Sequence, residues 1–157
     1  MNITIKADAA TLKKATDIYT SHLDPVKPVE EGLFSFTLQP YPLSLLQKSE
    51  ENGGNSLGLK PSDGPLVSIL LLSYWKNKTD DDTVIKFKKT VLEQIKAVAS
   101  ENGTLIPYVY MNYAFNHQDP IASYGVANKT KLQEVSKEYD PEGIFQTSVP
   151  GGFKLFT

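Results

Sequence analysis

Apolar residues recur along this chain in two rhythms, one near 3.6 residues and one of 2, and the switches between them outline its elements. Asp8 stands where it can cap a first helix. Leu12, Ala15, Tyr19 and Leu23 then share one face before Pro25 and Pro28 stop the run. Residues 33–39 alternate, with Leu33, Ser35 and Thr37 against Phe34, Phe36 and Leu38, which predicts a half-buried strand broken by Pro40 and Pro42. Pro42 suits the first position of a short helix reaching Asn52, with Gly53-Gly54 beyond its end. Residues 66–75 are leucine-rich and apolar on both faces as far as Ser73, so this strand belongs at the centre of its sheet. Asp80, Asp81 and Asp82 mark the dipole-positive start of the longest helix, 81–101, whose Val84, Phe87, Val91, Ile95 and Val98 form a sheet-facing stripe. Residues 105–113 read as a tyrosine-rich strand. A last helix over 129–139 presents Leu132 and Val135 and stops at Asp140-Pro141. The order predicts a single α+β domain over residues 1–157, its helices covering one sheet face. A wholly parallel, doubly wound sheet is disfavoured, because no glycine-rich phosphate turn follows any strand.

Composition narrows the chemistry. No apolar run approaches the roughly 18–20 residues that span a bilayer. The first 14 residues carry charge where a signal peptide has its apolar segment. The expected location is therefore cytoplasmic, without membrane association, and the Asn-x-Thr triplets at Asn2, Asn77, Asn102 and Asn128 read as chance. The absence of cysteine excludes disulfides, thiolate metal sites, thiol nucleophiles and a cysteinyl flavin bond. All 16 basic residues are lysine. Without the arginine fork, and at a net charge of −2, the chain is not expected to bind nucleic acid. Two histidines, His22 and His117, do not make a histidine metal cluster, and Asp80–Asp82 reads as a helix start.

The densest polar and aromatic stretch is 108–120. Strand alternation would put Tyr108, Tyr110 and Asn112 on one face, with Val109, Met111 and Tyr113 on the other. A strand end crowded with Tyr, Asn, His117, Gln118 and Asp119 either lines a concave site or forms a hydrogen-bonded rim. Trp75, at the end of the central strand, is an anchor or a substrate platform. Asp119-Pro120 is turn chemistry.

Several fragments occur in a telling order: Gly53-Gly54-Asn55, Leu57-Gly58-Leu59, Trp75, Tyr110-Met111-Asn112-Tyr113-Ala114, Ser123-Tyr124-Gly125 with Asn128, Leu132, Tyr139-Asp140-Pro141, Phe145-Gln146 and Val149-Pro150-Gly151-Gly152-Phe153. From about residue 33 onward the series resembles the C-terminal third of fungal berberine-bridge-enzyme-like oxidoreductases, relatives of the 6-hydroxynicotine oxidases. The resemblance implies a substrate-binding domain built as a broad antiparallel sheet backed by helices. It implies that Tyr113 matches a tyrosine that often acts as catalytic base near the flavin, with Asn112 and the Tyr124–Asn128 segment along the flavin side and Gln118 inside the same pattern. The family's flavin-binding domain, with its pyrophosphate loop and tethering histidine, has no counterpart in these 157 residues. No cofactor is therefore expected on the chain itself, and FAD only if a partner chain supplies that domain.

The expected site comprises Tyr113, Asn112 and Gln118 as catalytic groups, and Tyr108, Tyr110, Trp75 and His117 as substrate contacts. A phenol with a pKa near 10 is a poor base at neutral pH but a good donor to a developing oxyanion. The leading expectation is a flavin-free catalyst of secondary metabolism: a cyclase, a pericyclase such as a Diels–Alderase, or an isomerase. It would hold an apolar or polycyclic small molecule in a reactive conformation. Met1 followed by its own capped helix fits an independent gene product. The alternatives are a fragment or subunit of an FAD-dependent oxidoreductase, and a non-catalytic small-molecule carrier. A homodimer is expected to bury the face that a flavin domain would cover.

Overall fold

The computed structural model describes residues 1–156. Its first element has no counterpart in the expectations above. Met1, Ile3 and Ile5 alternate with Asn2, Thr4 and Lys6, and this short run forms strand β1, Asn2–Lys6. Asp8 then caps helix α1, Ala9–Ser21, its carboxylate accepting from the Thr11 backbone N–H at 2.8 Å and from the Thr11 hydroxyl at 2.7 Å. Strand β2 runs Leu33–Tyr41, helix α2 Leu43–Glu51, strand β3 Leu66–Tyr74 and helix α3 Asp81–Glu101. After them come the two-residue strand β4, Leu105–Ile106, and helices α4, Pro120–Ser123, α5, Val126–Tyr139, and α6, Ile144–Thr147. The fold is α+β: a four-stranded antiparallel sheet in the order β2-β3-β1-β4, with helices packed on it.

The apolar strand β3 is central, as its two-faced hydrophobicity requires. Strand β2 does not break at Pro40; it pairs with β3 as far as Tyr41. Backbone parity supplies the reason. Met1 and Leu71 exchange both of their backbone hydrogen bonds, at 2.9 and 3.3 Å. Alternation therefore turns Leu66, Ser68 and Leu70 toward β2, where they bond Tyr41, Gln39 and Thr37. Pro40 falls on the outward parity of an edge strand, so its missing N–H removes nothing from the ladder.

The two faces of the sheet differ in kind. Ile3, Ile5, Val67, Ile69 and Leu71 point to one side, where α1 and α3 contribute Ala15, Ile18, Val84, Phe87, Val91 and Ile95. This is the principal core, and the expected stripe of α3 is part of it. The other face carries Asn2, Thr4, Ser68 and Leu66, covered by a smaller cluster of Leu46, Leu59, Tyr108 and Tyr124. Beyond that cover the second face is open, with Leu33 at 51% and Tyr74 at 61% exposure. Helix α5 starts earlier than predicted. Leu132 packs on the second cluster, while Val135 faces outward. No residue from 125 to 156 is buried.

Candidate functional site

The tyrosine-rich run is not the long strand its alternation predicted. Pairing with β1 stops at Ile106, Pro107 follows, and two carboxamides replace the missing ladder. The Asn2 side chain pairs with the Tyr110 backbone, its Oδ1 accepting from the N–H at 2.8 Å and its Nδ2 donating to the carbonyl at 3.0 Å. The Asn2 backbone in turn pairs with the Gln118 side chain: its N–H donates to Oε1 at 3.2 Å and its carbonyl accepts from Nε2 at 2.8 Å. Gln118 Oε1 also accepts from the Phe115 N–H at 3.2 Å. Each amide stands in for a strand, so the chain can leave the sheet without orphaning buried backbone groups.

Released from the sheet, Met111–Tyr113 forms a 3₁₀ turn. Residues three apart eclipse in that geometry. Tyr110 and Tyr113, expected on opposite faces, are instead neighbours, with ring centroids 4.7 Å apart and edge-on at 79°. Asn112 Nδ2 donates to the Tyr110 hydroxyl at 2.9 Å. The oxygen of Tyr110 is therefore an acceptor already in use, and its proton remains to be donated. Both rings are half-buried.

Tyr108 has a different role. It is buried, stacked on Tyr124 at 5.8 Å and edge-on to Tyr41 at 6.2 Å. Burial, together with Tyr41 and the hydrogen bond they share, pushes its phenol well above the usual tyrosine value. Tyr41 and Tyr124 are raised as well, chiefly by desolvation. Tyr110 packs against the cluster that these three rings belong to.

The expected site residues thus divide. Tyr110, Asn112 and Tyr113 lie together, and Gln118 is joined to them through Asn2, its amide occupied by backbone. His117 is exposed, its ring 5.7 Å from Phe115, and desolvation and the nearby Lys89 lower its pKa. It lines a cleft of about 270 Å³ at the β4 edge with Tyr108, Gln118, Glu93 and Lys96. Trp75 packs with the principal core, on the helix side, where its indole N–H donates to Asp81 Oδ1 at 2.7 Å and ties β3 to the start of α3. Sequence reading missed Asn2 and Tyr41, and reached Tyr124 only through the family resemblance. For Asn2 a signal was present: a polar residue between Met1 and Ile3 in an alternating run.

Two further features belong to this face. Thr4 and Ser68 are cross-strand partners, both fully buried, and their hydroxyls have no hydrogen-bond partner. The loop before β3 presses onto the segment after the tyrosines. A Cβ on Gly58, whose φ is +77°, would meet the Tyr124 carbonyl at 2.6 Å, and that carbonyl accepts from Asn128 Nδ2 at 2.8 Å. Gly58, Tyr124 and Asn128 therefore meet at one packing point.

Two helix starts do not suit the pyrophosphate of a dinucleotide: α3 opens on Asp81 and Asp82, carboxylates that repel an anion, and α1 is already capped by the Asp8 carboxylate. No helix among them is long and apolar enough to cross a membrane, and no three potential ligands cluster to hold a metal.

No family model and no solved structure matches the chain. Curated proteins do. An FAD-dependent monooxygenase of Cochliobolus heterostrophus is 38% identical over 159 residues, which cover 97% of this chain and 30% of the relative. An FAD-dependent monooxygenase of Fusarium proliferatum is 43% identical over 118 residues, 75% of this chain and 23% of its own length. The bifunctional solanapyrone synthase of Alternaria solani is 29% identical over 134 residues, 85% of this chain and 26% of its own. The chain is similar to one segment of fungal FAD-dependent monooxygenases, and it spans between 23 and 32% of the length of four such relatives.

Proposed function

We propose that this chain forms the substrate-side wall of an FAD-dependent monooxygenase and that a different region of polypeptide holds the flavin. The observation that carries the reading is the asymmetry of the sheet. One face is sealed by α1 and α3, while the tyrosine face is only partly covered and continues into a segment, 125–156, without a buried residue. Exposed Val126, Tyr139 and Phe145, at 84, 79 and 66%, are apolar surface of the kind that a neighbouring region covers. Relatives three to four times longer provide such a region.

On this reading Tyr110 and Tyr113 present two hydroxyls to a substrate oxygen, as donors to charge that develops there. Asn112 fixes the Tyr110 proton outward by occupying its oxygen. Asn2 and Gln118 position the turn. The finer likeness to berberine-bridge-like enzymes assigns Tyr113 the proton-transferring role, with an apolar or polycyclic small molecule as substrate. The test is reconstitution: mix the chain with the remainder of the C. heterostrophus monooxygenase, made without its matching segment. Flavin absorbance and substrate oxidation that appear only in the mixture support the proposal. Stoichiometric FAD bound by the 157-residue chain alone overturns it.

A second reading, a flavin-free cyclase or isomerase, is favoured by the acid-bearing start of α3 and the Asp8 carboxylate that caps α1. Turnover of a reactive precursor by the chain alone, with no flavin band, would select it.

A further inference from the structure

Strand β2 forms one edge of the sheet and is nine residues long, Leu33–Tyr41, without a single charged side chain. Edge strands are ordinarily blunted by lysine, by inward charges, by bulges or by brevity, because their free N–H and C=O groups are a template for another strand. Here the one blunting residue is Pro40, near the end. The parity established above leaves the N–H and C=O groups of Phe34, Phe36 and Leu38, and the carbonyl of Pro40, pointing away from β3.

We propose that this edge pairs with β2 of a second copy, antiparallel about Thr37, to give a continuous eight-stranded sheet. The side-chain pattern is self-complementary under that two-fold axis. On the helix side Phe36 meets Leu38 and Phe34 meets Pro40. On the other side Thr37 meets Thr37, Ser35 meets Gln39, and Leu33 meets Tyr41. Every residue faces one of its own class, no like charges oppose, and the outward amides of Phe36 and Leu38 exchange bonds with their counterparts. An isologous two-fold contact of this kind closes at two copies and leaves no further β2 edge to recruit a third. The pairing uses the edge and not the tyrosine face, so it stands independently of the function proposed above.

The chain has no cysteine, which makes the test clean. Thr37 lies on the inward parity, so the two Thr37 residues form a non-hydrogen-bonded pair with Cα atoms about 4.5 Å apart, within disulfide range. Thr37→Cys should cross-link to a covalent dimer under mild oxidation. Ser35→Cys alone should not, and Ser35→Cys with Gln39→Cys should. Sedimentation of the unmodified chain should show a dimer of the 17.4 kDa unit at micromolar concentration. Thr37→Lys, which sets like charges opposite each other at an exposed position, should weaken association about tenfold with an unchanged circular dichroism spectrum. A monomer throughout that range overturns the proposal. So does a dimer that neither cross-links through Thr37→Cys nor loosens with Thr37→Lys.

Discussion

The two faces of the sheet are built from the same strands, residue by alternate residue, yet they are made for different ends. The helix face is mainly hydrocarbon, with Ile3, Ile5, Val67, Ile69 and Leu71 against Val84, Phe87, Val91 and Ile95, and its exceptions are the buried Lys88 and the unpartnered Tyr19 hydroxyl. The opposite face buries Asn2, Thr4 and Ser68 and stacks tyrosines over them. Burial of apolar area sets the stability of a small domain, and the first face supplies most of it. The second face retains polar groups, two of them unpartnered, at a cost to stability. Such a division is expected where one side of a sheet holds the fold and the other meets a ligand or another polypeptide.

The largest effect should come from emptying the helix face. Ile69→Ala, at a fully buried position, is expected to cost about 2–5 kcal/mol in urea denaturation, through lost transfer energy and the cavity left behind. A cost below about 1 kcal/mol would mean that this face is not the principal core. On the tyrosine face the variant of greatest consequence is Tyr113→Phe. Turnover of the reconstituted assembly should fall about a hundredfold while stability stays within about 0.5 kcal/mol. Unchanged turnover would remove Tyr113 from the chemistry. Next comes Asn2→Ala, which strands the N–H and carbonyl of Tyr110 and should destabilise by about 1–3 kcal/mol. Because Asn2 also sets the Tyr110–Tyr113 turn, turnover should fall with it. Thr4→Val should go the other way and raise stability by about 1 kcal/mol, since an apolar group replaces an unpartnered hydroxyl.

The pH dependence separates the faces more gently. Tyr41, Tyr108 and Tyr124 all hold their protons more tightly than a free phenol. Their contribution to stability is therefore whole below about pH 10 and is lost as pH climbs above it, where the unfolded chain ionises first. Thermal melts across pH 9–12 should show that loss, and Tyr108→Phe should flatten it.

How much of this was legible in the sequence depended on range. Helix α3 and strand β3 were read with nearly their true bounds, because each carries a long, unbroken period and its partners are apolar everywhere. The Asp8 cap of α1 was equally plain. Strand β1 was overlooked since it is short and ends in Lys6, although Met1, Ile3 and Ile5 alternate cleanly. Pro40 was read as a breaker because its outward parity is set only once β3 is in place. The 105–113 strand was overread for a tertiary reason: the groups that end it, the carboxamides of Asn2 and Gln118, lie 108 residues from Tyr110 and 116 residues from Asn2 respectively. The same distance hid the true site geometry. Local alternation separated Tyr113 from Tyr110, and only the turn imposed by Asn2 brings them together.

The division between the faces, and the claim that the tyrosine side meets a flavin-holding region, can be tested in one measurement. Hydrogen–deuterium exchange of the chain, with and without the remainder of the C. heterostrophus monooxygenase, reports where that region docks. Exchange should slow at residues 110–114 and 126–149, with α1 and α3 unchanged. Slowing over α1 and α3, or no slowing anywhere, would contradict that claim.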